Sequence, residues 1–244
     1  YFTERSISDK ANGAMIAKTL ILLALTFGSY GLIMSGAVST GLMLALCFVM
    51  GIGFAGIGFS IAHDALHGAY SSSRKLNGAL GLVFDLSGAN GYLWKITHNV
   101  IHHTYTNIQG IDEDLEVSPL LRLSPTSEHK PIHRFQDCNA LIAYSFSTLF
   151  WVFVKDYKYL TQRDLGPYRN IKHPRGEVVK LFVMKAIYYA YMIVLPLWLL
   201  DITLLQFAIG FLTVHLTAGL ILGVIFQLAH VVDGTEHFET PRND

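Results

Sequence analysis

The sequence predicts an all-α, polytopic membrane protein with four transmembrane helices in two hairpins, and three observations carry that prediction. Of its 244 residues 52% are hydrophobic and only 15% charged, a balance that soluble domains of this size rarely show. Four apolar stretches, at about 14–34, 40–62, 178–200 and 203–232, each reach the roughly 20 residues a helix needs to cross a bilayer. The connector SGAVS between the first two, and the turn around Asp201 between the last two, are very short and carry no Lys or Arg. Short connectors make hairpins.

The first stretch follows a polar flank with Arg5 and Lys10. The second contains GIGFAGIGF, whose small residues let a neighbouring helix approach closely. From Thr40 to His67 is 27 steps, about 40 Å of helix against a hydrocarbon core of about 30 Å. This helix is expected to project beyond the bilayer. Between the hairpins lies a polar region, about 63–177, rich in Lys and Arg from Arg74 to Arg175. By the positive-inside rule that region is a cytoplasmic cap, with both termini on the same side. Within it, the apolar runs 79–93 and 140–154 are short and interrupted, and are read as interfacial or re-entrant helices. The fourth stretch, Thr203 to His230, is again 27 steps, so His63, His67 and His230 are expected at similar height on the cytoplasmic side.

Net charge is zero and no basic stripe is interleaved with aromatics, which excludes nucleic acid as a partner. Cys47 and Cys138 form neither a disulfide framework nor a zinc knuckle. The chain opens on Tyr1 without a signal-peptide pattern and is read as a piece of a longer one.

Histidine carries the chemistry. HDALH sets His63 and His67 four apart, the spacing at which two imidazoles on one helix reach one metal. THNVIHH repeats the device with His98 and His102 and adds His103, which on an α-helix points about 100° away from His102. Imidazole suits Zn, Cu, Fe and Ni. Five or six histidines, one pair of them divergent, are too many for one tetrahedral ion and suggest two metals. Asp64, Asp112 and Asp114 are placed to hold imidazoles by their free N–H groups. Other histidines fit less well. Pro131 breaks a shared face for His129 and His133, and His173 before Pro174 reads as a solvated loop residue. His215 lies 15 residues before His230, about 22 Å along the helix, and is expected to bond a neighbouring helix.

HDALHGAYS, HNVIHHTYTN and FQLAHVVDGTEHF together resemble the integral-membrane fatty acid desaturases, and most closely the bacterial acyl-CoA or acyl-lipid type related to linoleoyl-CoA desaturase, the front-end type. The likeness covers most of residues 1–244, as a single desaturase domain. The resemblance implies four membrane helices under a cytosolic helical cap and two non-haem iron ions held almost wholly by histidine. Carried over residue by residue, it makes His63, His67, His98, His102, His103 and His230 the metal ligands. Gln227, three residues before His230, is similar to an amide that holds a metal-bound water in some relatives. Trp94 and Lys95 are expected to bind substrate, as tunnel wall and head-group contact.

The implied reaction converts a fatty acyl-CoA or acyl-lipid, O2 and two electrons to a cis double bond and water. An unactivated methylene offers no acid and no leaving group, so the cofactor carries the oxidation while the protein orients the chain and excludes water. No cytochrome b5 haem motif is visible, which implies a separate electron donor, cytochrome b5 or ferredoxin. A related histidine-box hydroxylase or ketolase is the nearest alternative reading. An intramembrane zinc protease would need Asp64 where HExxH has Glu and would leave the second histidine group without a role, and a bis-histidine haem protein is the non-enzyme reading. Desaturases of this kind complete the site with a third histidine box after the fourth span. None precedes Asp244, so residues 1–244 alone are expected to bind iron substoichiometrically and to make no double bond.

Overall fold

A computed structural model describes residues 2–112, 115, 118–230, 232 and 234–239, with the side chains of His230 and Glu239 outside the description. In chain order the helices are α1 (Gly13–Met34), α2 (Thr40–Leu66), α3 (Arg74–Leu86), α4 (Gly91–Trp94, continuing as a π-helix over Lys95–His102), α5 (Pro131–Ser145), α6 (Ser147–Thr161), α7 (Arg175–Leu199) and α8 (Leu204–His230). Two short strands, β1 (Ile108–Gln109) and β2 (Phe238–Glu239), pair in parallel. Among the described residues α1, α2, α7 and α8 are the single helices long and apolar enough to cross a membrane. These are the four spans read from the sequence, and α2 and α8 run on to the histidines as their lengths required.

The chain forms two compact units, one of Tyr1–Gly91 with Val179–Ala218 and one of Tyr92–Val178 with Gly219–Asp244. In the first, the glycines of GIGFAGIGF serve two neighbours. A Cβ on Gly51 would lie 2.7 Å from the Val214 carbonyl oxygen on α8, while one on Gly53 or Gly56 would run into Thr26 or Leu22 on α1. Small residues replace the hydrophobic drive that lipid removes. Gly51→Val is therefore expected to lower stability by about 1–3 kcal/mol through overpacking, seen as earlier thermal unfolding in detergent. An unchanged melting curve would refute the close contact.

Several polar groups pair between the helices of this unit, as a medium without water demands. The Tyr30 hydroxyl donates to the Tyr191 carbonyl at 2.7 Å, joining α1 to α7. Tyr188 and His215, both buried, share a hydrogen bond of 2.6 Å between α7 and α8. His215 thus bonds a neighbouring helix, as its depth suggested. After α3, Asp85 is 1% exposed. One of its oxygens accepts from the Asn90 amide and the Gly91 N–H at 3.2 and 3.3 Å, and the other lies 3.2 Å from Lys180. Lys185, also buried, donates to the Gly88 carbonyl at 2.7 Å. Two lysines of α7 and one aspartate thereby fix the turn 86–91, an arrangement in which each buried charge keeps a partner.

In the second unit, Gly219 and Gly223 let α8 approach α5: a Cβ on Gly219 would lie 2.8 Å from the Tyr144 carbonyl oxygen. Leu115, Leu121, Leu123 and Tyr144 form a core against Leu220 and Val224. Helices α5 and α6 meet at 49° and leave Leu141, Ile142, Phe146, Phe150 and Phe153 exposed. The Lys155 ammonium lies over the Trp151 ring at 4.6 Å. Exposed aliphatic and aromatic groups beside Trp and Lys suit the membrane–water boundary.

Candidate metal centre

The first histidine pair ends α2. His63 and His67 lie on one face with ring centroids 4.5 Å apart, and the His63 Nδ1 is 3.2 Å from the Asp64 carboxylate. The chain then has to turn. His67 caps the helix, Gly68 takes φ +72°, its N–H bonds the Ala65 carbonyl, and the Ala69 N–H bonds the Asp64 carbonyl at 2.8 Å. This paired closure is a Schellman motif, whose left-handed residue is best supplied by glycine. The G of HDALHG thus stops the helix one residue past the second imidazole.

The second group lies in the π-helical part of α4, and here the structure corrects the sequence reading. A π-helix bonds i to i+5 and widens the turn, so residues five apart come to share a face. His103 is consequently a ring neighbour of His98 as well as of His102. Its ring centroid is 4.8 Å from that of His98, against 5.1 Å for His98 and His102 and 5.5 Å for His102 and His103. The three imidazoles are ring neighbours at the end of this helix.

His102 is 2% exposed, and its Nδ1 is 3.0 Å from each oxygen of Asp112, which is 1% exposed. A carboxylate accepts, so Nδ1 carries the proton and Nε2 keeps its lone pair for a metal. Asp112 also accepts from the Asn107 N–H at 2.9 Å. Asn107 sits at φ +61°, a left-handed turn that asparagine tolerates better than most residues, and its carbonyl accepts from Phe238 N–H at 3.0 Å. Asn107 also comes just before β1, to which β2 pairs. The segment after α8 is in this way tied to the turn after α4. Sequence reasoning missed Asn107, although an Asn five residues before the aspartate in a turn region was its available signal.

Trp94 is buried and stacks on His98 with centroids 4.4 Å apart and planes at 21°, which places it against an imidazole and not at the surface. Lys95 is exposed. Phe226 on α8 meets His98 edge-on at 5.6 Å, so the last turns of α8 pack on α4. Gln227 follows it, buried, and its Oε1 has no hydrogen-bond partner among the described residues. His230 ends α8. Its side chain, and Asp114, lie outside the described residues.

His173 departs from its reading as a solvated loop residue. It is partly buried, its Nδ1 lies 3.1 Å from the Tyr92 hydroxyl, and burial pushes its pKa below the ordinary value. Burial, then the nearby Glu177 charge, push the Tyr92 pKa up. The pair joins the start of α4 to the approach to α7 in neutral form.

The donor chemistry fits iron: imidazole nitrogens backed by carboxylates, with an unpartnered amide oxygen in the same unit as the second group. That chemistry is the site's alone; fold likeness adds nothing to it, since no solved structure matches this chain. In sequence, a profile described as fatty acid desaturase matches residues 39–244. An sn-1 linoleoyl-lipid 6-desaturase of Synechocystis is 34% identical over 99% of this chain and 67% of its own length. The protein of the same name from Arthrospira platensis is 33% identical over 98% of this chain and 65% of its own. An acyl-lipid (8-3)-desaturase of Physcomitrium patens is 31% identical over 99% of this chain and half of its own. The chain thus spans about two thirds or less of these relatives. With the profile covering most of its length, the chain belongs to the fatty acid desaturase family of membrane oxidoreductases.

Proposed function

We propose that the protein is an acyl-lipid desaturase that introduces a cis double bond into a fatty acyl chain, using O2 and two electrons from a separate cytochrome b5 or ferredoxin. The observation that carries the reading is the buried His102–Asp112 bond within a group of three histidines, on a chain whose family is established. His63, His67, His98, His102, His103 and His230 would hold two non-haem irons. When bound, iron supplies the oxidation of an unactivated C–H that no side chain can perform. The protein's own residues do the rest. Asp112 holds the proton on Nδ1 of His102, so its lone pair stays directed outward. Asp64 does the same for His63, and Gln227 offers an acceptor for a water at the centre. Trp94 fixes the plane of His98 by stacking and keeps water from that face. Trp94 and exposed Lys95 would meet the acyl chain and its head group. Acyl-lipid is preferred to acyl-CoA because the relatives are named for lipid substrates.

Expression of the full-length protein in a host of known lipid composition, followed by fatty-acid analysis, tests the reaction. A new cis double bond in membrane lipid is expected. A hydroxylated or ketone product would move the protein to the hydroxylase or ketolase reading, and product confined to acyl-CoA would overturn the substrate class.

The charge distribution further supports a cytoplasmic position for the histidines and both termini. Membrane-impermeant thiol reagent applied to sealed cells is expected to label cysteines placed at Val38 or Asp201 and to spare one placed at Ser72. Labelling at Ser72 would overturn this orientation.

A further inference from the structure

The first unit contains a cavity of about 240 Å³ that the reaction does not use. Its walls come from α1, α2, α7 and α8 at the end near the two short connectors, and include Gly41, Leu44, Cys47, Met192, Ile209 and Phe211. On α2 the wall ends at Met50, 13 residues before His63, or about 20 Å along the helix. An apolar cavity of about 150 Å³ already stays dry and takes a hydrocarbon ligand. Water is therefore a poor occupant here.

Two features say from where the cavity is filled. Leu44 on α2 and Ile209 on α8 line it and are also 42% and 46% exposed. Within membrane-spanning helices that exposure is to lipid, so the cavity opens sideways to the bilayer. On the side of the histidines stands the Tyr188–His215 hydrogen bond, 2.6 Å long and buried. Tyr188 is one turn from wall residue Met192, and His215 follows wall residue Val214. A polar, hydrogen-bonded pair joining α7 to α8 blocks a hydrocarbon chain coming from the histidine end, because parting it would leave both groups unsatisfied in an apolar medium.

We propose that this cavity binds the hydrocarbon tail of a bilayer lipid, at a site separate from the path of the reacting acyl chain. The occupant is a membrane lipid held by its tail, with no demand on head-group chemistry, since the walls offer little to recognise one.

Native mass spectrometry of the protein purified from a host of defined lipids reads the site without any need for activity. Wild type is expected to keep about one lipid through detergent washing. Gly41→Phe, whose Cβ would meet no atom within 4 Å, and Cys47→Phe fill the cavity from different positions and are each expected to reduce retention at least tenfold. Retention unchanged in both would overturn the proposal. Photo-crosslinking of wild type with a lipid carrying a diazirine near its tail end removes dependence on the variants. Adducts are expected to be enriched at residues 41–50 and 207–214 over Trp198, an ordinary lipid-facing residue at 76% exposure; no enrichment would overturn the site. The last arm concerns the source of the chain. If the filled variants make the same double bond but favour shorter acyl chains, the cavity is the end of the substrate path, and the separate lipid site is refuted while the desaturase reading stands.

Discussion

His102→Ala in the full-length protein is expected to reduce desaturation by at least a hundredfold and to lower bound iron below the wild-type stoichiometry, whereas His129→Ala is expected to change neither. His102 is almost fully buried, and its Nδ1 is committed to Asp112. That fixes the tautomer in which Nε2 carries the lone pair a metal would take. His98→Gln is expected to act in the same direction with less damage to packing, because glutamine keeps part of the volume that stacks on Trp94. His129 is exposed and its ring is 5.8 Å from that of His133, which makes it a matched control of residue type without the environment. Iron content by elemental analysis and product by fatty-acid analysis are the two readouts. Wild-type iron and turnover in His102→Ala would remove this residue from the ligand set, and with it the strongest support for the proposed centre.

Much of this was legible in the sequence because it rests on length and period. The four spans needed only apolar stretches of sufficient length, and the projection of α2 and α8 followed from counting residues to His67 and His230. The tight helix contacts were visible in GIGFAGIGF, and Asp112 as the partner of an imidazole followed from chemistry. What was not legible depended on backbone winding and on distant contacts. A π-helix has no residue signature comparable to a proline or a glycine cap, so the face shared by His98 and His103 was read with the wrong period. The pairing of Asp85 with Lys180, and of Lys185 with the Gly88 carbonyl, joins residues about a hundred positions apart. Charge within an apolar stretch announced that partners must exist, but not which ones. The sequence offers Trp94 only as a tunnel wall beside Lys95, and the fold alone shows its indole stacked on His98.

Asp112→Asn is expected to lower iron affinity by about 10–100-fold, the usual effect of losing a carboxylate that orients a ligand imidazole, and to lower stability as well. The substitution is nearly isosteric, yet it removes an acceptor. Asp112 receives two N–H donors, from His102 at 3.0 Å and from the Asn107 backbone at 2.9 Å. One carboxylate oxygen accepts from both donors while the other also lies 3.0 Å from His102, and an asparagine has one oxygen and an NH2 group, so an NH2 group must take one of those two places. If the amide oxygen takes the shared place, both donors keep an acceptor but the His102 N–H also meets the NH2 group and its tautomer is held less firmly; if it takes the other place, the Asn107 N–H faces the NH2 group and the left-handed turn loses its anchor, at a cost of about 1–3 kcal/mol for a buried unsatisfied group. The two consequences separate experimentally. Iron titration of the full-length variant reads the first, and thermal unfolding of the iron-free variant reads the second. Weakened iron binding that recovers activity at high iron concentration would identify Asp112 as a positioning residue acting through His102. Lowered stability with unchanged iron affinity would instead make Asp112 an anchor of the turn alone, and His102 would then need another reason for its buried, oriented ring.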